Sequence, residues 1–191
     1  MSEPVSGTDP GTDPGTDPGT DPGTGYDTRM DLIPKRAADS ATEMVQVVLP
    51  NDANPLGFIL GGTVMHLIDI AAAIACHRHT RTRLVTAAVD DLQFLHPIKV
   101  GDLIILESRV TCVFTTSLEA RVDVFSEETL TGQRRRTSRA FLTFVAIDSD
   151  GNRVKVPPLL VETPEECRVC EAAQARREQR LQRRVIAEAN G

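Results

Sequence analysis

The sequence predicts an α+β domain in which one long central helix is wrapped by a curved antiparallel sheet, with a surface helix added at the C-terminal end. Three observations carry this: an alternating stretch over residues 44–49, an apolar helical run over residues 62–79, and four long β-patterned stretches after it, joined by short turns. Strands of ten or more residues joined by such turns form a sheet that must curl, and the apolar helix is what it can curl around. The 191 residues suffice for one domain of this kind plus tails, and the 40% hydrophobic fraction is ordinary for a globular chain.

Residues 1–40 are expected to be a disordered tail and linker. "GTDP" repeats in tandem over residues 7–25, and Gly and Pro at that density leave no apolar face to bury. Met44, Gln46 and Val48 then alternate with Val45, Val47 and Leu49, as in a strand with at least one buried face, and Pro50 ends it. Asn51, Asp52, Asn54, Pro55 and Gly57 supply turn chemistry before the helix. On that helix Gly62, Met65, His66, Asp69, Ala72, Ala73 and Cys76 recur at three-to-four-residue spacing, and Arg78, Arg81 and Arg83 fall where positive charge suits its C-terminal dipole. Strands are expected over residues 84–96, 102–114, 116–126 and 134–148, which closes the folded domain at residues 41–160. Residues 161–191 read as a separate arginine-rich helix, with Glu165 and Glu166 early and Arg176, Arg177, Arg180, Arg183 and Arg184 late.

Charge and cysteine content narrow the function classes. The net charge is −6, but Glu3, Asp9, Asp13, Asp17 and Asp21 in the tail account for nearly all of it, and a near-neutral remainder argues against nucleic acid or a membrane surface as partner. No run approaches the roughly 18 apolar residues of a membrane span, and the start "MSEPVSGTDP" lacks the basic and apolar parts of a signal peptide. A cytoplasmic protein is the expectation. Four cysteines do not make a disulfide framework, and Cys167 and Cys170 lack the second pair of a zinc site, so they read as two incidental thiols one helical turn apart.

Asp69 raises the functional question, because a carboxylate two turns inside an apolar helix costs several kcal/mol unless it is paired or used. The stretch around it, "NDANPLGFILGGTVMHLID", followed by "VTAAVDDLQFLHPIKVGD" and "TTSLEARVDVF", resembles the acyl-CoA thioesterases of the hotdog fold, in particular the YciA and brain acyl-CoA hydrolase group. The resemblance covers roughly residues 43–147. It implies a homodimer or a trimer of such dimers, acyl-CoA as substrate, and neither metal nor separate cofactor. It further implies sites at the dimer interface that pair Asn54 of one subunit with Asp69 of the other, and places Thr116 and Ser117 near the bound CoA.

Elementary chemistry supports the same residues. Gly61 and Gly62 open the helix, where free N–H groups and the positive dipole end can face a polarised carbonyl, and the lack of side chains lets a thioester approach. Asp69 is then the expected general base on water, Asn54 the positioning residue, and the N–H groups near Gly61 and Gly62 the oxyanion hole. Direct attack by the carboxylate, giving an anhydride, stays open. His66, three residues before Asp69, and Asp90, on a strand face with Leu92 and Phe94, read as structural groups. Two alternatives remain: a hotdog enoyl-CoA hydratase, whose motif has a histidine where Gly57 stands here, and a non-catalytic acyl-CoA-binding dimer.

Overall fold

The structure, a computed structural model, describes residues 32–189, so the GTDP repeats lie outside the described residues. The elements in chain order are β1 (Lys35–Arg36), α1 (Ala37–Ser40), β2 (Thr42–Val47), α2 (Gly61–Thr80), β3 (Arg83–Phe94), β4 (Leu103–Val113), β5 (Ser117–Glu127), β6 (Arg134–Ile147), β7 (Leu159–Leu160) and α3 (Pro164–Ala189). A 3₁₀ turn, Pro50–Asp52, follows β2.

Five strands form an antiparallel sheet in the order β2-β4-β5-β6-β3, so β2 and β3 are its edges. The sheet presents one apolar face to α2, where Ile104, Leu106, Val110, Leu118, Ala120, Leu142 and Phe144 meet Val64, Leu67, Ile68, Ala71, Ala72 and Cys76. The fully buried alanines of α2 let its backbone lie close against the strands, and strand alternation sends every second residue to the opposite face. There Asp123 lies between Arg121 and Arg139, with N–O distances of 3.0 and 2.6 Å.

Several expectations change. The stripe holding Gly62, Met65, His66 and Asp69 is the side of α2 that the sheet leaves uncovered; Ala72 and Cys76 belong to the buried side. A single sheet reaches only one side of a helix, so the other side faces outward. Residues 35–40, expected as linker, are ordered: β1 pairs in parallel with β7, and Lys35 Nζ donates to the His79 carbonyl at 2.6 Å. Arg81 caps α2 in the left-handed region at φ 57°, a position usually taken by glycine.

The C-terminal helix and its cysteines also differ from the sequence expectation. Cys170 is joined to Cys112 of β4 by a disulfide, so it is no incidental thiol; Cys167 is free and exposed. Residues 58 positions apart on a strand and a helix give no local signal of pairing. The arginines of α3 do more than suit a dipole. Arg176 makes two hydrogen bonds to the buried carboxylate of Glu119, at 3.0 and 2.8 Å, and lies over the Phe141 ring. Arg180 bonds Asp90 of β3 at 2.5 Å. A register shift between Asp90 and Gln93 breaks the strand alternation, which is why Asp90 meets α3 rather than sharing a face with Phe94.

Candidate active site

The loop before α2 is held firmly. Asn54 Oδ1 accepts from the backbone N–H groups of Leu56 (3.0 Å) and Phe58 (3.3 Å), and isolated bridges pair Ala53 with Ile59 and Phe58 with Lys99. With the oxygen committed to two donors, the amide nitrogen is the free end of the side chain, and Nδ2 has no hydrogen-bond partner among the described residues. Gly57 sits in this turn at φ 79°, a backbone conformation that a histidine would adopt only with strain. The residue a hydratase would need at that point therefore conflicts with the turn itself.

Leu60 caps α2 without a side-chain bond, and Val64 is the first residue whose N–H reaches back to the Leu60 carbonyl, at 3.1 Å. The N–H groups of Gly61 and Gly62 thus lack intrahelical acceptors, as the first turn of any helix does. A Cβ added at Gly62 would meet nothing within 4 Å, whereas one at Gly61 would touch the Phe94 ring at 3.5 Å. The surface above Gly62 is open space. Beside it lies a pocket of about 310 Å³, lined mainly by apolar groups including Phe58, Val64, Phe94 and Ile98, with Asn54 and Gly61 on its wall.

Asp69 lies on the uncovered side of α2, half-buried, and accepts a hydrogen bond from Thr86 Oγ1 on edge strand β3 at 2.8 Å. That bond occupies Oδ1 and leaves Oδ2 without a hydrogen-bond partner among the described residues. Thr86 is the residue that sequence reasoning missed. His66 shares the same face and is exposed, with no bond to Asp69. Within one chain Asn54 lines this pocket and Asp69 does not, and no hydrogen bond joins the two among the described residues. Thr116 and Ser117 are engaged through their backbones, Thr116 accepting from Ala146 and Ser117 from Phe114. Ser117 stands opposite Val145, itself opposite Val85, so it lies two strands, or about 10 Å, in from the edge that carries Thr86. Among the described residues no group of His, Cys, Asp or Glu could hold a metal ion, and no helix is long and apolar enough to cross a membrane.

A central helix against a curled antiparallel sheet, with an Asn-bearing loop and two glycines at the helix start, defines a hotdog-fold thioesterase. The family model of the thioesterase superfamily matches residues 56–133. The uncharacterized acyl-CoA thioester hydrolase YkhA of Bacillus subtilis is 42% identical over 137 residues, covering 72% of this chain and 80% of that one. The human cytosolic acyl coenzyme A thioester hydrolase is 33% identical over 70% of this chain, which spans only 36% of that longer protein. Among solved structures, a hexameric acyl-CoA thioesterase superposes with a TM-score of 0.75 at 40% identity, covering 79% of this chain and 97% of that one. The Staphylococcus aureus acyl-CoA hydrolase, solved in complex with butyryl coenzyme A, coenzyme A and coenzyme A disulfide, gives 0.75 at 31% identity, covering 82% and 95%. Variants of that enzyme with one asparagine, one aspartate or one threonine replaced by alanine have also been solved. The chain belongs to the thioesterase superfamily, as an acyl-CoA thioester hydrolase.

Proposed function

We propose that this enzyme hydrolyses acyl-CoA with Asp69 as general base, positioned by Thr86, and with the oxyanion held by Asn54 and the first N–H groups of α2 contributed by the partner subunit. The observation that carries the reading is the Thr86–Asp69 hydrogen bond on the uncovered side of α2. Thr86 fixes the carboxylate through Oδ1, and Oδ2 is left to take a proton from water as the water attacks the thioester carbon. The carbonyl oxygen, gaining charge, is met by N–H groups of Gly61 and Gly62 and by the free Asn54 amide. The tetrahedral intermediate then collapses, expelling the CoA thiolate and leaving the free acid.

Geometry requires two chains for this. Asp69 lies seven or eight residues beyond the glycines on the same helix, about 11 Å along its axis, too far for both to act on one carbonyl. Antiparallel pairing of two α2 helices across a two-fold would bring each Asp69 to the other helix's start. The unpaired edge of β3, with Val85 and Val89 exposed on it, offers the surface for such pairing. The hexameric relative suggests that three dimers assemble further. The three alanine variants of the Staphylococcus aureus enzyme fall in the same order and at the same spacing as Asn54, Asp69 and Thr86, which supports treating these residues as one unit. The name of the human relative supports a cytosolic setting.

The test is thiol release from acetyl- to palmitoyl-CoA by wild type, Asp69→Ala, Asn54→Ala, Thr86→Val and Gly62→Val. Losses of about 10² or more in kcat are expected for Asp69→Ala and Asn54→Ala. Thr86→Val should lose less, and Thr86→Ser should recover most of it. Because a Cβ at Gly62 meets open space in the chain itself, Gly62→Val should fold normally and lose activity by blocking the substrate. An Asp69→Ala enzyme with undiminished kcat would overturn the assignment.

A further inference from the structure

We propose that Cys112, Cys170 and Cys167 form a thiol-exchange site at a second cavity, and that it reacts with a small anionic thiol. The disulfide joins Cys112, almost wholly buried in β4, to half-buried Cys170 on α3, and Cys167 is free and exposed one helical turn earlier. Residues three apart on a helix have Cα atoms about 5 Å apart, within the span a disulfide bridges. A cavity of about 390 Å³ leads to this point; Cys170, Val113, Phe114 and Thr115 line it, and Lys155 supplies its cation. It lies apart from the Asn54 pocket and shares no lining residue with it. The remaining cysteine, Cys76, is buried in the core, and burial pushes its thiol far up, so it takes no part.

The chemistry balances without an outside oxidant. The incoming thiolate attacks Cys170 Sγ, because Cys170 lines the cavity and Cys112 does not. The bond to Cys112 breaks, its electron pair leaves on the Cys112 sulfur, which takes a proton, and a mixed disulfide forms at Cys170. Cys167, as thiolate, then attacks the same Cys170 sulfur and expels the small thiol. The net result is a Cys167–Cys170 disulfide within α3 and a reduced Cys112, so the covalent tie between α3 and the sheet is exchanged for one inside the helix. Glu171 accepts from the Cys167 thiol at 3.5 Å and holds its pKa above the ordinary thiol value, which slows this second step near neutral pH. In a reducing compartment a disulfide that opens in this way is a sensing element rather than a static staple.

The test uses the full-length oxidised protein exposed briefly to glutathione, coenzyme A or neutral 2-mercaptoethanol. Acid quenching, alkylation of free thiols and non-reducing peptide mapping follow. Wild type should show a Cys167–Cys170 linkage with Cys112 alkylated. Cys167→Ser, or Cys167→Ala as a second variant at this exposed position, should trap the mixed disulfide on Cys170. Glutathione and coenzyme A should react several-fold faster than the neutral thiol, and Lys155→Glu should remove that difference; whichever of the two is faster identifies the better-fitting anion. An adduct on Cys167 alone with Cys112–Cys170 intact would overturn the proposal. So would an adduct on Cys112, equal rates for all three thiols, or alkylation of all four cysteines before any thiol is added.

Discussion

His79 is fully buried near the end of α2, with Nε2 2.9 Å from the Pro157 carbonyl and Nδ1 without a partner among the described residues. A carbonyl only accepts, so Nε2 carries the proton and the neutral ring is the form the fold holds. Burial lowers its pKa, aided by the charge of Lys35 and opposed by the Pro157 bond and Asp39. The unfolded chain, titrating near the usual value of about 6.5, therefore binds a proton that the native state refuses. Stability contributed this way is fully present above about pH 6.5 and declines as pH falls below it, by up to about 1.4 kcal/mol per unit, until the lowered native pKa is reached. Urea unfolding at stepped pH should show this decline in wild type. His79→Gln, which keeps a donor for Pro157 and does not titrate, should flatten it.

At the scale of the element, α3 is fastened to the sheet by charge as well as by the disulfide. Glu119, 1% exposed, is met by Arg176 and also accepts from Thr111 Oγ1 at 2.7 Å. Removing one partner of such a pair strands a buried charge, so Arg176→Met is expected to lower stability by about 3–5 kcal/mol. The double change Arg176→Met with Glu119→Gln should recover most of it, because no unpaired charge remains. Denaturant midpoints of wild type, Arg176→Met, Glu119→Gln and the double variant measure the coupling directly; equal effects of Arg176→Met and the double change would place the loss elsewhere. These ties also mark what sequence reading could reach. The five strands of the main sheet and α2 were legible within one or two residues, since alternation and helical spacing are local properties; the two-residue β1 and β7 are too short to carry a pattern. Asn54, Asp69, Gly61 and Gly62 could be singled out as candidates because turn residues and a lone carboxylate stand out from their surroundings. Thr86 was not: a threonine in a strand is unremarked until a register places it opposite a helix, and the shifts flanking Ala87 and beyond Asp90 scramble the alternation there. Cys112 with Cys170, and Arg176 with Glu119, join positions 58 and 57 residues apart and have no local signature.

At the scale of the whole molecule, the single chain leaves an edge strand unpaired, a helix face uncovered and the two halves of the chemistry apart. Asp69 with Thr86 stands on the open side of α2, while Asn54 and the helix start stand at its end, about 11 Å away along the axis. A two-fold dimer in which each chain lends its helix start to the other's carboxylate satisfies all three at once. It also makes a quantitative demand. On the proposed assignment, every site of an Asp69→Ala homodimer lacks its base and every site of an Asn54→Ala homodimer lacks its amide. If Asp69 of one chain acts with Asn54 of the other, as proposed, a mixed dimer concentrates both losses in one site and leaves the second site whole. Unfolding and refolding the two variants together at equal concentration should therefore restore about a quarter of wild-type thiol release, since half the dimers are mixed and each has one intact site. If each chain built its site from its own Asn54 and Asp69, the mixture would stay as inactive as its parents.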